Sequence, residues 1–258
     1  MSKLSVALGQ QKAFLPFLTC GDPDLNTTVK LAKTLADNGA NAIILGIPFS
    51  DPTAEGAMIQ TASIRALKGG ATTDRIFEIV KTIRKEVEIP LVFQTYANVV
   101  FSYGIERFMK TCADLGVDGV IIPDVSFEEK EEFDGACRAN GIDFISMIAP
   151  TSASRISKIA KAASGFVYAV SGLGVSEEQA KMQAPIEETV EKIHADTQIP
   201  CIIGVGICTV EQAAYMTSFA DGVIVDTAIT ELVAKYGSDS VQYVADFAAS
   251  MAKAIHTH

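Results

Sequence analysis

Short apolar runs, each followed by an amphipathic stretch of helical periodicity, recur along this 258-residue chain, and that alternation restricts the fold more than any motif does. The runs are 13–18, 42–47, 91–93, 119–122, 144–147, 166–170, 201–204 and 222–225. Helical patterns are expected between them: Val29 to Ala36, Met58 to Leu67, Thr73 to Arg84, Gly104 to Leu115, Phe127 to Asn140, Ser154 to Ala163, Ile186 to His194 and Val210 to Thr217, with further helices after Val225. Strands that are apolar throughout, rather than alternating with polar residues, are buried on both faces, and a helix after each strand supplies the outer cover. Such strands run parallel. Eight units in about 250 residues fit a closed (β/α)8 TIM barrel, with a doubly wound open sheet of the same elements as the competitor. Glycines open several strands, as at Gly119, Gly165 and Gly222, and Ser152 to Ser154 offers a polar helix cap. No linker or low-complexity segment interrupts the pattern, so residues 1–258 are expected to form a single domain.

With 48% hydrophobic and 20% charged residues, the chain has enough apolar surface for a large core. Lysine and arginine total 21 against 31 aspartates and glutamates, a formal charge of −10, which disfavours nucleic acid and anionic membrane as partners. Five cysteines show no CxxC spacing and read as reduced, structural thiols. No signal-like or membrane-spanning apolar run stands in the sequence, so a cytoplasmic protein is expected. His194, His256 and His258 are not spaced as metal ligands, the last two reading as a frayed terminus, and no cofactor or metal is demanded.

Barrel enzymes place their chemistry at the C-terminal ends of the strands, so each strand end is a candidate. Phe17 is expected to project an aromatic face into the mouth from the first strand, and Ile44 on the second reads as core. Glu55 lies in the loop Gly46-Ile47-Pro48-Phe49-Ser50-Asp51-Pro52-Thr53-Ala54-Glu55-Gly56. An acid there is either a solvated loop residue or, beside an apolar pocket, a proton carrier. Gln94 begins a polar strand end, Gln94-Thr95-Tyr96-Ala97-Asn98, able to bond a ligand or the neighbouring loop. Asp124, Glu128 and Glu129 after the fourth strand suit a helix start. Tyr168 is expected inside the barrel end on the sixth strand. Gly204 and Gly206 on the seventh allow the close backbone approach that cradles a phosphate, whereas Asp226 and Glu177 oppose a phosphate dianion.

Pro16-Phe17-Leu18-Thr19-Cys20-Gly21-Asp22-Pro23, the Gly46 to Gly56 loop, Thr95-Tyr96-Ala97-Asn98, Ile122-Pro123-Asp124, Ile148-Ala149-Pro150-Thr151, Gly165-Phe166-Val167-Tyr168 and Gly204-Val205-Gly206-Ile207 resemble, in order and spacing, the tryptophan synthase α subunit family. The resemblance covers essentially the whole chain. It implies a lyase that splits indole-3-glycerol phosphate into indole and glyceraldehyde 3-phosphate by a retro-aldol reaction. On that reading Glu55 matches a loop acid, usually aspartate, that supports the indole nitrogen. Tyr168 matches a tyrosine near the glycerol, Phe17 an indole-pocket wall and Ser176 a loop-ordering threonine. Glu177, Gly206, Asp226 and Thr227 fall on phosphate-binding positions, so two of those four are acids here. Ile44 falls where the family has a strand-2 glutamate acting as general acid and base, and isoleucine transfers no proton. Gln94, at an apolar indole-pocket position, and Ser126, where the family tends to have proline, also depart.

Three functions compete. The chain is an α-type lyase of weak or absent ordinary activity, since loss of a general acid costs about 10²–10⁴-fold. Alternatively it is a diverged or engineered barrel for a different small-molecule substrate without a phosphate, with Glu55 or Asp226 as base and Gln94 as hydrogen-bond donor. The third function is non-catalytic: docking on a tryptophan synthase β subunit through the Asp51-Pro52 loop.

Overall fold

The computed structural model describes residues 2–149, 154–170, 183–204 and 206–257. Its strands are β1 (Ala13–Thr19), β2 (Ile43–Gly46), β3 (Leu91–Gln94), β4 (Gly119–Ile121), β5 (Asp143–Phe144), β6 (Ser146–Ile148), β7 (Val167–Val170), β8 (Cys201–Gly204) and β9 (Gly222–Val225). All paired neighbours are parallel, in the order β5-β4-β3-β2-β1-β9-β8-β7-β6. β5 pairs with β4 and β6 with β7, and only Ile145 separates them, so the two short pieces share one position in the ring. Ile145 itself donates its N–H to the Val120 carbonyl (2.9 Å), continuing the ladder. The result is an eight-position barrel rather than an open sheet.

Helices follow the strands as the apolar periodicity requires: α2 (Leu25–Asp37), α3 (Ala57–Lys68), α4 (Thr73–Ile83), α5 (Ala97–Tyr103), α6 (Ile105–Asp114), α7 (Glu131–Ala139), α8 (Ile156–Lys161), α9 (Gln183–Asp196), α10 (Val210–Thr217), α11 (Thr227–Tyr236) and α12 (Ser240–His256). They are preceded by α1 (Lys3–Leu8), a helix whose six residues are too few to show periodicity in sequence. It plugs the floor of the barrel: Leu4 and Leu8 are fully buried among the inward side chains, and Ser5 donates its hydroxyl to the Gly165 carbonyl at 2.7 Å.

The alternation of strand side chains sorts the apolar residues into two bodies. Leu15, Phe17, Ala42, Ile44, Val92, Ile121, Phe166, Tyr168, Ile202 and Ile224 fill the barrel interior. Their chain neighbours Phe14, Leu18, Ile43, Leu45, Phe93, Val167, Ala169, Ile203 and Val223 pack against the helices. Both faces are therefore dry, which is why the strands carry no polar alternation.

Several local expectations are corrected. α7 starts at Glu131 rather than Phe127, so Asp124 does not serve its N-terminus; its carboxylate accepts from the Ala97 N–H (3.0 Å), at the start of α5, a separate helix ahead of α6 that the sequence pattern does not mark. Gly104, at φ 89°, makes that break. α8 begins at Ile156 behind Arg155 with no side-chain cap, and Ser152 lies outside the described residues. His256 is no frayed end: it is half-buried in α12 and its Nε2 bonds Asn41 Oδ1 (2.9 Å), which also accepts the Phe14 N–H (2.8 Å). Burial lowers the pKa of that imidazole. His258 lies outside the described residues. Cys20, Cys112, Cys137 and Cys201 are buried free thiols; burial pushes Cys20 and Cys137 up to about 12, so they stay protonated and inert.

Gly222 opens β9 where β1 lies closest. A Cβ there would stand 2.8 Å from Ala13 Cβ and press on the Ala13 carbonyl, backbone that cannot move without breaking the β1–β9 ladder. Gly222→Ala should destabilise the protein by about 1–3 kcal/mol in urea unfolding. Gly135→Ala, exposed in α7 with nothing within 4 Å of its Cβ, should stabilise it by about 0.5–1 kcal/mol. Equal effects of the two substitutions would remove this account of β1–β9 packing.

Candidate functional site

The inward layer ends at the C-terminal rim in polar or small residues: Thr19 on β1, Gly46 on β2, Gln94 on β3, Gly204 on β8 and Asp226 just after β9. Gly46 and Gly204 each make room for a ring. A Cβ on Gly46 would lie 2.8 Å from Phe17 Cε2, and one on Gly204 2.6 Å from Tyr168 Cε2. The Phe17 and Tyr168 rings are both buried, as expected from their inward register. Gly204 thus accommodates Tyr168, and the rim glycine whose Cβ would point into open space is Gly206, at φ 79°. Ile44 is fully buried in this layer, paired in register with Phe17 on one side and Val92 on the other.

Glu55 stands one residue before Gly56, the N-cap of α3. Its backbone carbonyl accepts from Gln60 Nε2 (2.8 Å) in the first turn of that helix. Its carboxylate accepts from Gln94 Nε2 (2.7 Å), and the Tyr96 hydroxyl acts on it electrostatically. Tyr96 in turn accepts the Ala54 N–H (3.2 Å) and stacks on Phe49, ring centroids 5.3 Å apart. The loop from β2 is therefore pinned across the end of β3. Gln94 and Glu55, both picked out in sequence, are partners. Tyr96 was visible only as part of a polar strand end, because nothing in the residue order reveals which loop its hydroxyl reaches. Phe17, Thr19, Phe49, Glu55, Ile59 and Gln94 border a cavity of about 10 Å³. Thr19 Oγ1 is buried with no hydrogen-bond partner.

A second support lies one strand away. Asp22 after β1 forms a bidentate pair with Arg65 of α3, Nε to Oδ1 2.8 Å and Nη2 to Oδ2 2.7 Å, fixing the helix that carries Ile59. Neither residue was distinguished in the sequence beyond its motif.

Asp226 caps α11, its Oδ1 accepting the Thr227 N–H at 2.5 Å. Burial raises its pKa, against the effect of that hydrogen bond. Burial also raises the pKa of Glu55, helped by the negative charge of Asp226 and opposed by Gln94 and Tyr96. Tyr168 is raised well above the usual phenol range by burial, then by both acids, so it is a neutral hydroxyl at physiological pH. Glu55, Asp226 and Tyr168 thus share one electrostatic neighbourhood. Thr227 stands beside them, half-buried. Ser176 and Glu177 lie outside the described residues, and so does the remainder of 171–182. Among the described residues no group of His, Cys, Asp or Glu side chains is arranged to hold a metal ion.

Raised carboxyl pKa values have a definite consequence for folding. Glu55 and Asp226 bind protons more tightly folded than unfolded, so their contribution to stability is fully present at low pH and is lost as pH rises through their folded pKa values. Half-buried Asp24 and Asp196 and exposed Glu128 and Glu211 are shifted down and act oppositely, below neutrality. The double variant Glu55→Gln/Asp226→Asn should therefore lose less urea stability than the parent between pH 5 and pH 7.5. Parallel midpoint-against-pH curves for the two proteins would contradict the shared burial of these acids.

The family model for the tryptophan synthase alpha chain matches residues 5–257. A tryptophan synthase alpha chain from Lacticaseibacillus casei is 48% identical over 235 residues, covering 91% of this chain and 88% of that one. One from Thermoanaerobacter sp. (strain X514) is 41% identical over 252 residues, 96% of each chain. The crystal structure of tryptophan synthase subunit alpha from Legionella pneumophila str. Paris superposes with a TM-score of 0.90 at 32% identity over the whole of both chains. With the family model matching nearly the whole chain and a relative 48% identical over 91% of it, the chain belongs to the tryptophan synthase alpha chain family.

Proposed function

We propose that this chain is an α-type subunit whose own cleavage of indole-3-glycerol phosphate is weak or absent, acting as a single, cytoplasmic barrel domain. The observation that carries the reading is Ile44. It is fully buried between Phe17 and Val92, in the layer that also holds Tyr168, at the position where the family resemblance calls for the proton-transferring glutamate. Glu55 remains, and its raised pKa suits a proton carrier. Its bond to Gln94 holds it at the end of β3, and one carboxylate does not replace two roles in a retro-aldol cleavage. Tyr168 is a neutral hydrogen-bond donor in this scheme, not a base.

The phosphate end departs in the same direction. A helix N-terminus attracts an anion through its free N–H groups and dipole. At α11 the chain supplies that anion itself, since Asp226 accepts the Thr227 N–H. A phosphate dianion arriving there meets a carboxylate in a poorly screened site. Among the described rim glycines, Gly206 keeps the open backbone that a phosphate cradle needs.

Indole release from indole-3-glycerol phosphate tests this directly. The parent protein should turn over at least about 100-fold more slowly than Ile44→Glu/Glu177→Gly/Asp226→Gly, the size of effect a lost general acid produces. Ordinary family turnover by the parent would sink the proposal.

One observation favours a docking role beside the impaired chemistry. Ser50, Asp51, Thr53 and Ala54 are exposed, yet the loop bearing them is braced by the Phe49–Tyr96 stack and the Ala54–Tyr96 bond. A rigid, exposed loop is what a partner subunit reads without an ordering cost. Added to a tryptophan synthase β subunit, this chain should raise its indole-to-tryptophan rate even without lyase activity, and Tyr96→Ala should weaken that stimulation. No stimulation by the parent chain removes the docking role.

A further inference from the structure

The ring of strands opens at one place. β5 bonds β4 and β6 bonds β7, but beyond Ile145 no ladder joins β4 to β6 among the described residues, so the two edges part towards the rim. The helices outside follow the strands, and a groove of about 700 Å³ runs between α7 and α8. An inner cavity of about 220 Å³ shares Phe127 and Lys130 with that groove. Its wall is drawn from both core bodies, Ile122, Phe144 and Ile159 from the outer one and Ile145, Met147 and Val170 from the inner one, as a gap through the ring requires. It has no lining residue in common with the small cavity beside Glu55.

The polar lining of the inner cavity is one-sided. Lys130, Arg155, Ser126 and Ser146 border it and no carboxylate does, in a chain whose acids outnumber its bases by 31 to 21. Lys130 is the decisive group. Its side chain is only 9% exposed, and a buried ammonium is costly unless it is paired and hydrogen-bonded. Its protein partners are distant: the Ala162 carbonyl at 3.3 Å, the Asp134 carboxylate at 3.6 Å and the Phe127 ring centroid at 5.0 Å. Asp134 is itself held more closely by Arg138, at 2.5 Å. Arg155, by contrast, is matched by Glu128 at 2.8 Å, and the Ser126 hydroxyl by Glu129 at 2.9 Å. An ammonium has three donors, so Lys130 retains capacity for an acceptor closer than any the protein supplies. Ser146 Oγ, buried on β6 without a partner, is a further donor on the same wall.

Volume and lining together select the ligand. A cavity of about 150 Å³ accepts a benzene ring. The volume here, about 220 Å³, leaves room for a carboxylate on a short stem. Inorganic phosphate would leave the apolar wall unused, and an amine would meet Lys130 with like charge. We propose that the gap between β4 and β6 is a binding site for a small aryl carboxylate, its ring against Phe144, Met147 and Ile159 and its carboxylate on the Lys130 ammonium. The site goes beyond indole-3-glycerol phosphate cleavage and stands whether or not that activity is impaired.

The probe is phenylacetate, titrated calorimetrically into the whole protein, with phenylacetamide as its neutral counterpart and 2-phenylethylamine as the cationic one. Phenylacetate should bind saturably with a Kd of about 1 mM or tighter, and about ten-fold tighter than phenylacetamide, the scale of one charge-assisted hydrogen bond. Phenylethylamine should bind more weakly than either. Lys130→Met keeps the apolar stem and leaves Asp134 its Arg138 partner, and it should bring phenylacetate and phenylacetamide to equal affinity. Lys130→Arg should keep the preference. Val125→Phe fills the cavity from its half-buried wall and alters no charge, so it should weaken both ligands about ten-fold or more, and it decides the matter if Lys130→Met does not fold. Glu55→Gln should leave phenylacetate affinity as it is. No saturable phenylacetate binding, equal affinity for phenylacetamide or phenylethylamine, a preference that survives Lys130→Met, or affinity untouched by Val125→Phe overturns the proposal. So does loss of binding in Glu55→Gln, which would put the ligand at the mouth instead. None of these results decides indole release, so failure here is distinguishable from failure of the lyase reading.

Discussion

The interior of the barrel is a fixed volume that eight strand positions must fill from all sides at once, and every other feature of the molecule follows from how that volume is divided. Large rings are admitted only where a neighbour gives up its side chain: Phe17 over Gly46 and Tyr168 over Gly204. Isoleucines, valines and leucines close the layers below, and Leu4 and Leu8 of α1 seal the floor. Interiors packed at this density do not tolerate rearrangement. The rim is the one inner layer not obliged to be apolar, so chemistry concentrates there, and Asp226 and Glu55 can be acids while the barrel beneath them is unchanged.

That division explains what could be read from the residues alone. The barrel was legible because its cause is local and repeated: each apolar run followed by a helical period states that both faces of the strand are covered. Helix ends were less so, as at α7, where Phe127 to Lys130 have helical composition but form turns before Glu131. α1 was illegible because its six residues matter only through the hole they fill. At the site, Glu55, Gln94, Tyr168 and Asp226 were each visible as unusual residue types at strand ends, but their partnerships were not. That Gln94 donates to Glu55, or that Tyr96 braces the Ala54 backbone, depends on how far a loop leans, which no spacing encodes. Thr19 was hidden altogether, since a threonine in a strand is ordinary until its hydroxyl is found buried without a partner.

The supports of the site differ in kind from its contents. Asp22 and Arg65 form an ion pair in which the acid is almost wholly buried, its side chain 2% exposed, and removing one member of such a pair leaves an uncompensated charge costing about 3–5 kcal/mol. The pair fixes α3 against the β1 loop, and α3 carries Ile59 into the mouth. Glu55 hangs from the same helix through Gln60 and from β3 through Gln94. A carboxylate held from two elements is pre-positioned, whatever it binds. Ile44, fully buried, completes the apolar layer beneath that carboxylate, so the geometry of the rim rests on a closed core.

Asp226 shows how a rim carboxyl competes with an external anion for a helix N-terminus. An external phosphate reaching the start of α11 must give up its hydration and its freedom before it gains the helix N–H groups. A carboxylate already attached at the cap position has surrendered most of that freedom on folding, so it competes at a high effective concentration for the same N–H. Its bond to Thr227 uses the donor, and its charge opposes the phosphate that would share the remaining field. The N–H at the positive end of the helix is thereby engaged inside the protein, by a carboxyl whose charged form burial disfavours.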